Sequence, residues 1–243
     1  MDLFKRLARQ HNYHGVWRDF VEMSACSISN SVDRQNFEAR EARYMEIIKR
    51  YSKEEAYAFP ELFALTVAAL HENSKQDFLG RIFEELGLGN KAHSQFFTPY
   101  HIAELMASIS LEDKSIIDGL EERGYIKVSD PACGAGVMLI AFADALEQKG
   151  YNYQRDCLFV AEDIDIIVAQ MCYIQLSLLG CPGYVMVHNT LFSEPCPEDK
   201  IWYTPFYFTE VWELRRQMED IKAILTDPVP NVDEEQKRDG DNE

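Results

Sequence analysis

A chain of 243 residues with 47% hydrophobic side chains is long enough for one substantial core, or for a small helical domain followed by an α/β domain. No apolar run reaches the roughly 18 residues of a membrane span, and the start, Met1-Asp-Leu-Phe-Lys-Arg6, lacks an apolar signal region, so a cytoplasmic chain outside the membrane is expected. The net charge of −17 is lopsided: residues 1–91 carry 13 Lys/Arg against 14 Asp/Glu, and residues 92–243 carry 11 against 27. The second part repels phosphate on average, so any contact with nucleic acid must take its cations from the near-neutral first part or from a partner chain. The six cysteines form no C-x-x-C pair and have no histidine at ligand spacing, so neither a zinc site nor a disulfide framework is expected.

In chain order, residues 1–90 read as an all-helical N-terminal domain. Phe4, Leu7, Trp17, Phe20 and Val21 recur at helical spacing, and a second stretch runs from Ala42 to Tyr51. Ser52-Lys-Glu-Glu55 is a capping-box pattern that opens a third helix, and Pro60 suits the first turn of the next, Glu61 to His71. The run from Leu62 to Leu70 reads as buried, and Gln76 to Leu86 is a further helix stopped by Gly87 and Gly89.

A second domain spans residues 91–226. It opens with Ser94-Gln-Phe-Phe-Thr-Pro-Tyr100 and a helix from about His101 to Ser110. Val128-Ser-Asp-Pro-Ala-Cys-Gly-Ala-Gly-Val-Met-Leu-Ile140 then reads as strand, tight turn and helix. Gly134 and Gly136 permit positive φ and let a ligand lie against the backbone, while the helix start attracts an anion. A lone Gly-x-Gly is equally an ordinary βα turn; an acid at the end of the next strand makes the pattern more specific. Cys157 to Ala161 is a buried strand ending in Glu162-Asp-Ile-Asp165, with a helix to Leu179 and Gly180 as its stop. Gly183 to His188 is a third strand leading to Asn189-Thr-Leu191, and Ile201-Trp-Tyr203 is a short approach to Thr204-Pro-Phe-Tyr207. Strands alternating with helices predict a parallel, doubly wound sheet. Ligands of such sheets bind outside the carboxyl ends of the strands, where Asp130, Asp163, Asn189 and Thr204 are all expected. A helix over Val211–Leu225 and an acidic, disordered tail from Asp227 to Glu243 close the chain.

Gln95-Phe-Phe-Thr-Pro99, Asp130-Pro-Ala-Cys-Gly-Ala-Gly136, Asp163-Ile-Asp165 and Asn189-Thr-Leu191, in this order, resemble the N6-adenine DNA methyltransferases, most of all the modification subunit of type I restriction-modification systems. Asp77-Phe-Leu-Gly-Arg-Ile-Phe-Glu84 is similar to that family's D-x-x-G-x-x-Y/F-E segment. The resemblance covers roughly residues 75–210. It implies a Rossmann-like S-adenosyl-L-methionine site and methyl transfer to the N6 amine of adenine in DNA. In it, Phe97 and Thr98 sit at the cofactor, with Thr98 on the methionine carboxylate and Asp130 on the methionine amino group. Pro131, Ala132, Cys133, Gly134 and Gly136 form the close-packed turn, Asp163 takes the ribose hydroxyls and Asn189 the adenine edge. Thr98 could instead cap the following helix, Asp165 suits a cap, and Asn189 could simply satisfy a turn.

The same resemblance implies a catalytic Asn/Asp/Ser-Pro-Pro-aromatic tetrad acting on a flipped adenine. The best-placed match is Thr204-Pro205-Phe206-Tyr207, which keeps a carbonyl and a ring but loses the planar acceptor and the second proline. A loss comparable to one oxyanion-hole donor slows transfer about 10²–10³-fold. Asp227-Pro-Val-Pro230 is a weaker match in the acidic tail. The family also continues past the tetrad with further strands, so the sheet is expected to be incomplete and its edge covered by a partner chain or by the last helix. Three readings stand side by side: a DNA adenine-N6 methyltransferase helped onto DNA by a partner or by its helical domain; a degenerate relative acting as a cofactor-binding or regulatory module, alone, as a homo-oligomer or as a modification/specificity-type subunit; or a methyltransferase of small molecules or protein glutamine.

Overall fold

The computed structural model describes residues 2–8, 10–89, 97–191 and 195–226. Two compact units are present, Met1–Phe208 and Thr209–Glu243. In the first, helices α1 (Asp2–Leu7), α2 (Tyr13–Asn30), α3 (Phe37–Ile48), α4 (Lys53–Ala56), α5 (Ala58–Glu72) and α6 (Phe78–Glu85) precede α7 (Tyr100–Ser110) and α8 (Lys114–Arg123). Then come β1 (Ile126–Asp130), α9 (Val137–Gln148), α10 (Tyr153–Asp156), β2 (Cys157–Asp163), α11 (Ile166–Leu178), β3 (Gly183–Val187) and β4 (Ile201–Tyr203). The described part of the second unit is one helix, α12 (Glu210–Thr226), preceded by Thr209.

Local chemistry sets the boundaries. Ser52 and Glu55 form the reciprocal capping box at α4, Asn12 caps α2, and Pro60 stands in the first turn of α5. Gly87 and Gly180, at φ +65° and +74°, close the ends of α6 and α11. The apolar run Leu62–Leu70 is one-sided rather than buried: α5 buries Thr66 and Leu70 there, while Leu65 and Val67 face outward. Residues 94–96, the expected domain junction at 90–91 and the tail with Asp227-Pro-Val-Pro230 lie outside the described residues.

Among the described residues four strands form one sheet in the order β1-β2-β3-β4. The first three are parallel, joined through α9 and α11, which makes a mixed α/β architecture. The fourth corrects the all-parallel expectation. β4 runs antiparallel to β3, with Tyr203 beside Tyr184 and Ile201 beside Met186. The described residues between β3 and β4 supply only a 3₁₀ turn, Glu198–Lys200, and no crossover helix to return the chain to the starting end of the sheet. Nor does the strand order reverse among the described residues, where β1 is an edge and not a switch point.

The helices of the first ninety residues share a core with the sheet region: Trp17, Phe20, Ile47, Phe59, Leu79 and Phe83 cluster with Leu139, Phe159, Ile174 and Trp202, and α2 packs on α11. One buried cation fastens the two regions. Arg40 of α3 donates to Asp33 at 2.5 Å, to the Ser29 hydroxyl, and to the Ile201 carbonyl at 2.7 Å, and its guanidinium lies 4.1 Å from the Trp202 ring centroid. Removing one partner of a buried pair of this kind is costly, because the other charge stays buried without compensation. Arg40→Ala leaves Asp33 uncompensated and the β4 carbonyl without its donor, and should cost about 3–5 kcal/mol in urea unfolding.

Candidate functional site

The turn after β1 is shaped by two left-handed residues. Gly134 and Gly136 have φ of +56° and +97°, and Gly136 is the N-cap residue of α9 without a side-chain cap. A side chain would be strained at either position. At Gly136 it would also meet Cys172 Sγ at 2.8 Å, and at Gly134 it would rest on the Phe97 ring at 3.5 Å. Within the turn the Gly136 N–H donates to the Cys133 carbonyl, and the Cys133 N–H donates to the Glu162 carbonyl of β2. Cys133 and Cys172 are buried free thiols; a hydrogen bond that the Cys172 thiol donates to Cys133, together with burial, raises the Cys172 pKa, so it stays protonated.

Two carboxylates bracket this turn at the carboxyl ends of β1 and β2. Asp130 Oδ1 accepts from the Ala132 N–H at 3.1 Å. Asp163 Oδ2 accepts from the Gly134 N–H at 3.0 Å and Oδ1 from the Asp165 N–H at 2.9 Å. Asp163 thus latches the glycine turn to the second strand; with the Ile164 N–H also acting on it, the carboxylate keeps acceptor capacity for a further donor. Burial raises the pKa of both acids, and the charge of Asp163 adds to the rise at Asp130. Among the described residues neither forms an ion pair. A pair of half-buried anions with no cation among the described residues has the electrostatics to attract a positively charged group.

The Phe97-Thr98-Pro99 segment is brought against the turn by α6. The Phe97 N–H donates to Glu84 at 3.3 Å, and its ring packs edge-on against Phe83, 5.8 Å between centroids. Pro99 is the N-cap residue of α7 and no side chain caps that helix, so Thr98 does not serve as a cap. Thr98 and Asp130 line a common cleft of about 700 Å³ that runs along β1, with Met106, Met138 and Phe142 among its walls. Asp165 does cap α11, accepting from Ile167 and Val168. The Asn189 carboxamide oxygen accepts from the Leu191 N–H at 3.1 Å, the turn role, and the next residue, Thr190, donates to the Pro131 carbonyl at 2.7 Å. Thr190 therefore holds the loop after β3 to Pro131 of the turn, a role that no sequence pattern signals.

Gln175 is equally silent in the sequence. This fully buried amide of α11 donates to the Ala135 carbonyl and to Asp77 Oδ1, both at 2.8 Å, and accepts from the Leu79 N–H at 3.1 Å. Asp77 in turn caps α6 through the Gly80 N–H. One side chain thus positions the glycine turn and the helix that carries Glu84. A polar residue within the apolar run Ile166–Leu178 offers no periodic signal, and Asp77 lies 98 residues away.

Thr204, Pro205, Phe206 and Tyr207 are not beside these groups. Because β4 is antiparallel, Thr204 follows it at the amino end of β3, next to Gly183, whereas Asp163 pairs with Val187 at the other end. Four residue steps at about 3.3 Å put roughly 13 Å of strand between the two ends. Thr204 is 0% exposed; its hydroxyl lies 2.7 Å from the Cys181 carbonyl, to which it donates, and accepts from the Gly183 N–H at 3.0 Å. Pro205 opens a 3₁₀ turn, Phe206 packs on Gly180, and Tyr207 stacks on Tyr203 at 4.8 Å. The four residues do follow a strand, as expected, but the antiparallel β4 delivers them to the amino end of β3 and not to the carboxyl edge where Asp130 and Asp163 stand.

Comparison with known proteins gives one match: the model of a family described as N-6 DNA methylase fits residues 74–237. That span takes in Asp77, the glycine turn, Asp163 and Asn189, and reaches beyond Thr204–Tyr207 to include Asp227-Pro-Val-Pro230. No curated protein and no solved structure matches the chain significantly.

Two variants test this geometry. Gln175→Leu leaves the Ala135 carbonyl and the Leu79 N–H buried and unpaired, and should lower unfolding free energy by about 2–5 kcal/mol. Asp130→Asn tests the anion. With its folded pKa raised, Asp130 ionises first in the unfolded chain, so its contribution to stability falls as pH rises from the ordinary aspartate value to the raised one. The variant should be as stable as the parent or more stable at pH 7 in thermal unfolding, with the difference closing as the pH drops below the ordinary aspartate range.

Proposed function

The chain belongs to the N-6 DNA methylase family, and on that premise we propose that its glycine turn binds S-adenosyl-L-methionine while its own Thr204–Tyr207 segment does not carry out methyl transfer. The reading is supported by the carboxylates Asp130 and Asp163, which flank Gly134 with no ion pair among the described residues, in a turn whose backbone a side chain would obstruct. Asp130 would hold the methionine ammonium, with the Thr98 hydroxyl beside it in the same cleft at the methionine carboxylate. The remaining lone pairs of Asp163 would accept from the ribose hydroxyls. Asn189, its oxygen engaged in the turn, would offer its amide N–H to the adenine edge. Phe97 would press on the turn, and Pro131, Ala132 and Cys133 would set its path.

The cofactor, when bound, supplies an electrophilic methyl group on sulfonium. Deprotonation or orientation of an adenine amine requires an acceptor at the same end of the sheet. The buried Thr204 hydroxyl, engaged with Cys181 and Gly183, is the observation against this chain's own tetrad. The chain then acts as a cofactor-binding module, most naturally alongside a modification- or specificity-type partner that supplies DNA contact. A second reading, an active N6-adenine methyltransferase, is favoured by the reach of the family match over Asp227-Pro-Val-Pro230.

Isothermal titration with S-adenosyl-L-methionine should give binding that Asp163→Ala weakens at least tenfold, and no binding would overturn the cofactor assignment. Affinity should fall as pH drops through the raised pKa of Asp130, because the ammonium is held only by the ionised acid. Tritium transfer from labelled cofactor to adenine in DNA separates the two readings. Transfer that survives Thr204→Val but is lost on Asp227→Ala would select the active enzyme. No transfer by the chain alone, with binding intact, would select the module.

A further inference from the structure

The described helix of the second unit has an apolar face of its own. Val211, Leu214, Met218 and Ile221 of α12 are 46%, 58%, 51% and 56% exposed. Their spacing of three, four and three residues follows the a and d positions of a heptad, and the sequence continues it to Leu225. A surface helix that buried its stripe in its own domain would not leave four large apolar side chains half in water in one row.

The flanks of the stripe carry charges that discriminate between ways of covering it. One flank presents Arg215 and Lys222, the other Glu210 and Gln217. The Arg215 guanidinium lies 4.6 Å from the Trp212 ring centroid, which holds its stem on that flank. If two such helices run antiparallel, like flanks meet and Arg215 faces Lys222. If they run parallel, opposite flanks meet and Glu210 of each helix faces Arg215 of the other, five residues on, while Gln217 faces Lys222. The parallel pair therefore gains two ion pairs where the antiparallel one gains two repulsions.

We propose that α12 pairs in parallel with α12 of a second copy of this chain, through a seam of Val211, Leu214, Met218 and Ile221 flanked by Glu210–Arg215 ion pairs. This pairing is independent of cofactor binding and of methyl transfer. It would bring two copies together through the second unit.

Sedimentation of the full chain over a range of concentrations should give a reversible step from 28.1 kDa to twice that mass. The double variant Leu214→Glu with Met218→Glu should remain at the single mass, and circular dichroism should be unchanged because both side chains are already half exposed. Arg215→Glu alone should weaken the dimer by about three- to tenfold, and adding Glu210→Arg should restore it. Leu214→Cys, in a Cys196→Ser background, should form a disulfide between copies on oxidation, since like positions meet only in the parallel arrangement. A single mass at every concentration overturns the proposal. So does a dimer indifferent to the Leu214→Glu, Met218→Glu pair, or one in which Leu214→Cys fails to cross-link.

Discussion

Gln175 is the residue on which the site depends. Its amide joins two separate segments, the glycine turn through the Ala135 carbonyl and the start of α6 through the Asp77 carboxylate and the Leu79 N–H. Buried polar groups demand partners, so a fully buried amide with one acceptor and two donors in use allows few other arrangements of those segments. From that fixed point the rest is built outward. α6 places Glu84, Glu84 holds the Phe97 backbone, and Phe97 closes over Gly134, whose N–H is already latched by Asp163. The turn is thus held from below by an amide and from the side by a carboxylate, while the Asp130 carboxyl keeps room for something else.

Much of this is legible in the chain wherever the chemistry is local. Strand, turn and helix at Val128–Ile140 come from an apolar run, two glycines and a second apolar run, and the Ser52 capping box needs only four residues. What the sequence hides is non-local. Gln175 looks like one polar residue in an apolar helix, and nothing in its neighbourhood points to Asp77. Thr190 is a hydroxyl in a loop until Pro131 is known to lie beneath it. Strand direction is the clearest case. Ile201-Trp-Tyr203 reads the same whether it runs up or down the sheet, yet that choice decides whether Thr204 meets the Asp163 edge or the Gly183 edge. Here a family pattern and a strand assignment agree with each other, and the antiparallel ladder separates them.

Thr204 also illustrates how a site residue and a structural residue diverge. A hydroxyl that accepts from Gly183 and donates to Cys181 joins the start of β3 to the end of β4, a job that a planar amide would perform differently and that rewards full burial. The acids show the reverse. Asp130 and Asp163 are kept half-buried against the preference of a carboxylate for water, and no cation of the described chain relieves them. Stability favours Thr204 where it is and opposes the acids where they are.

The Arg40 anchor has a consequence in time as well as space. Its guanidinium is fixed partly by the Ile201 carbonyl and the Trp202 ring, and Ile201 is separated from it by 161 positions along the chain. At translation rates of about 5–20 residues per second, the ribosome needs roughly 8–32 seconds to make the intervening segment. For that interval the N-terminal helices exist without the strand that completes their burial, and Trp17, Phe20 and Ile47 have no sheet to pack against. The growing chain therefore carries an unfinished apolar surface for as long as that segment takes to make, exposed to the risks that any partly folded surface runs.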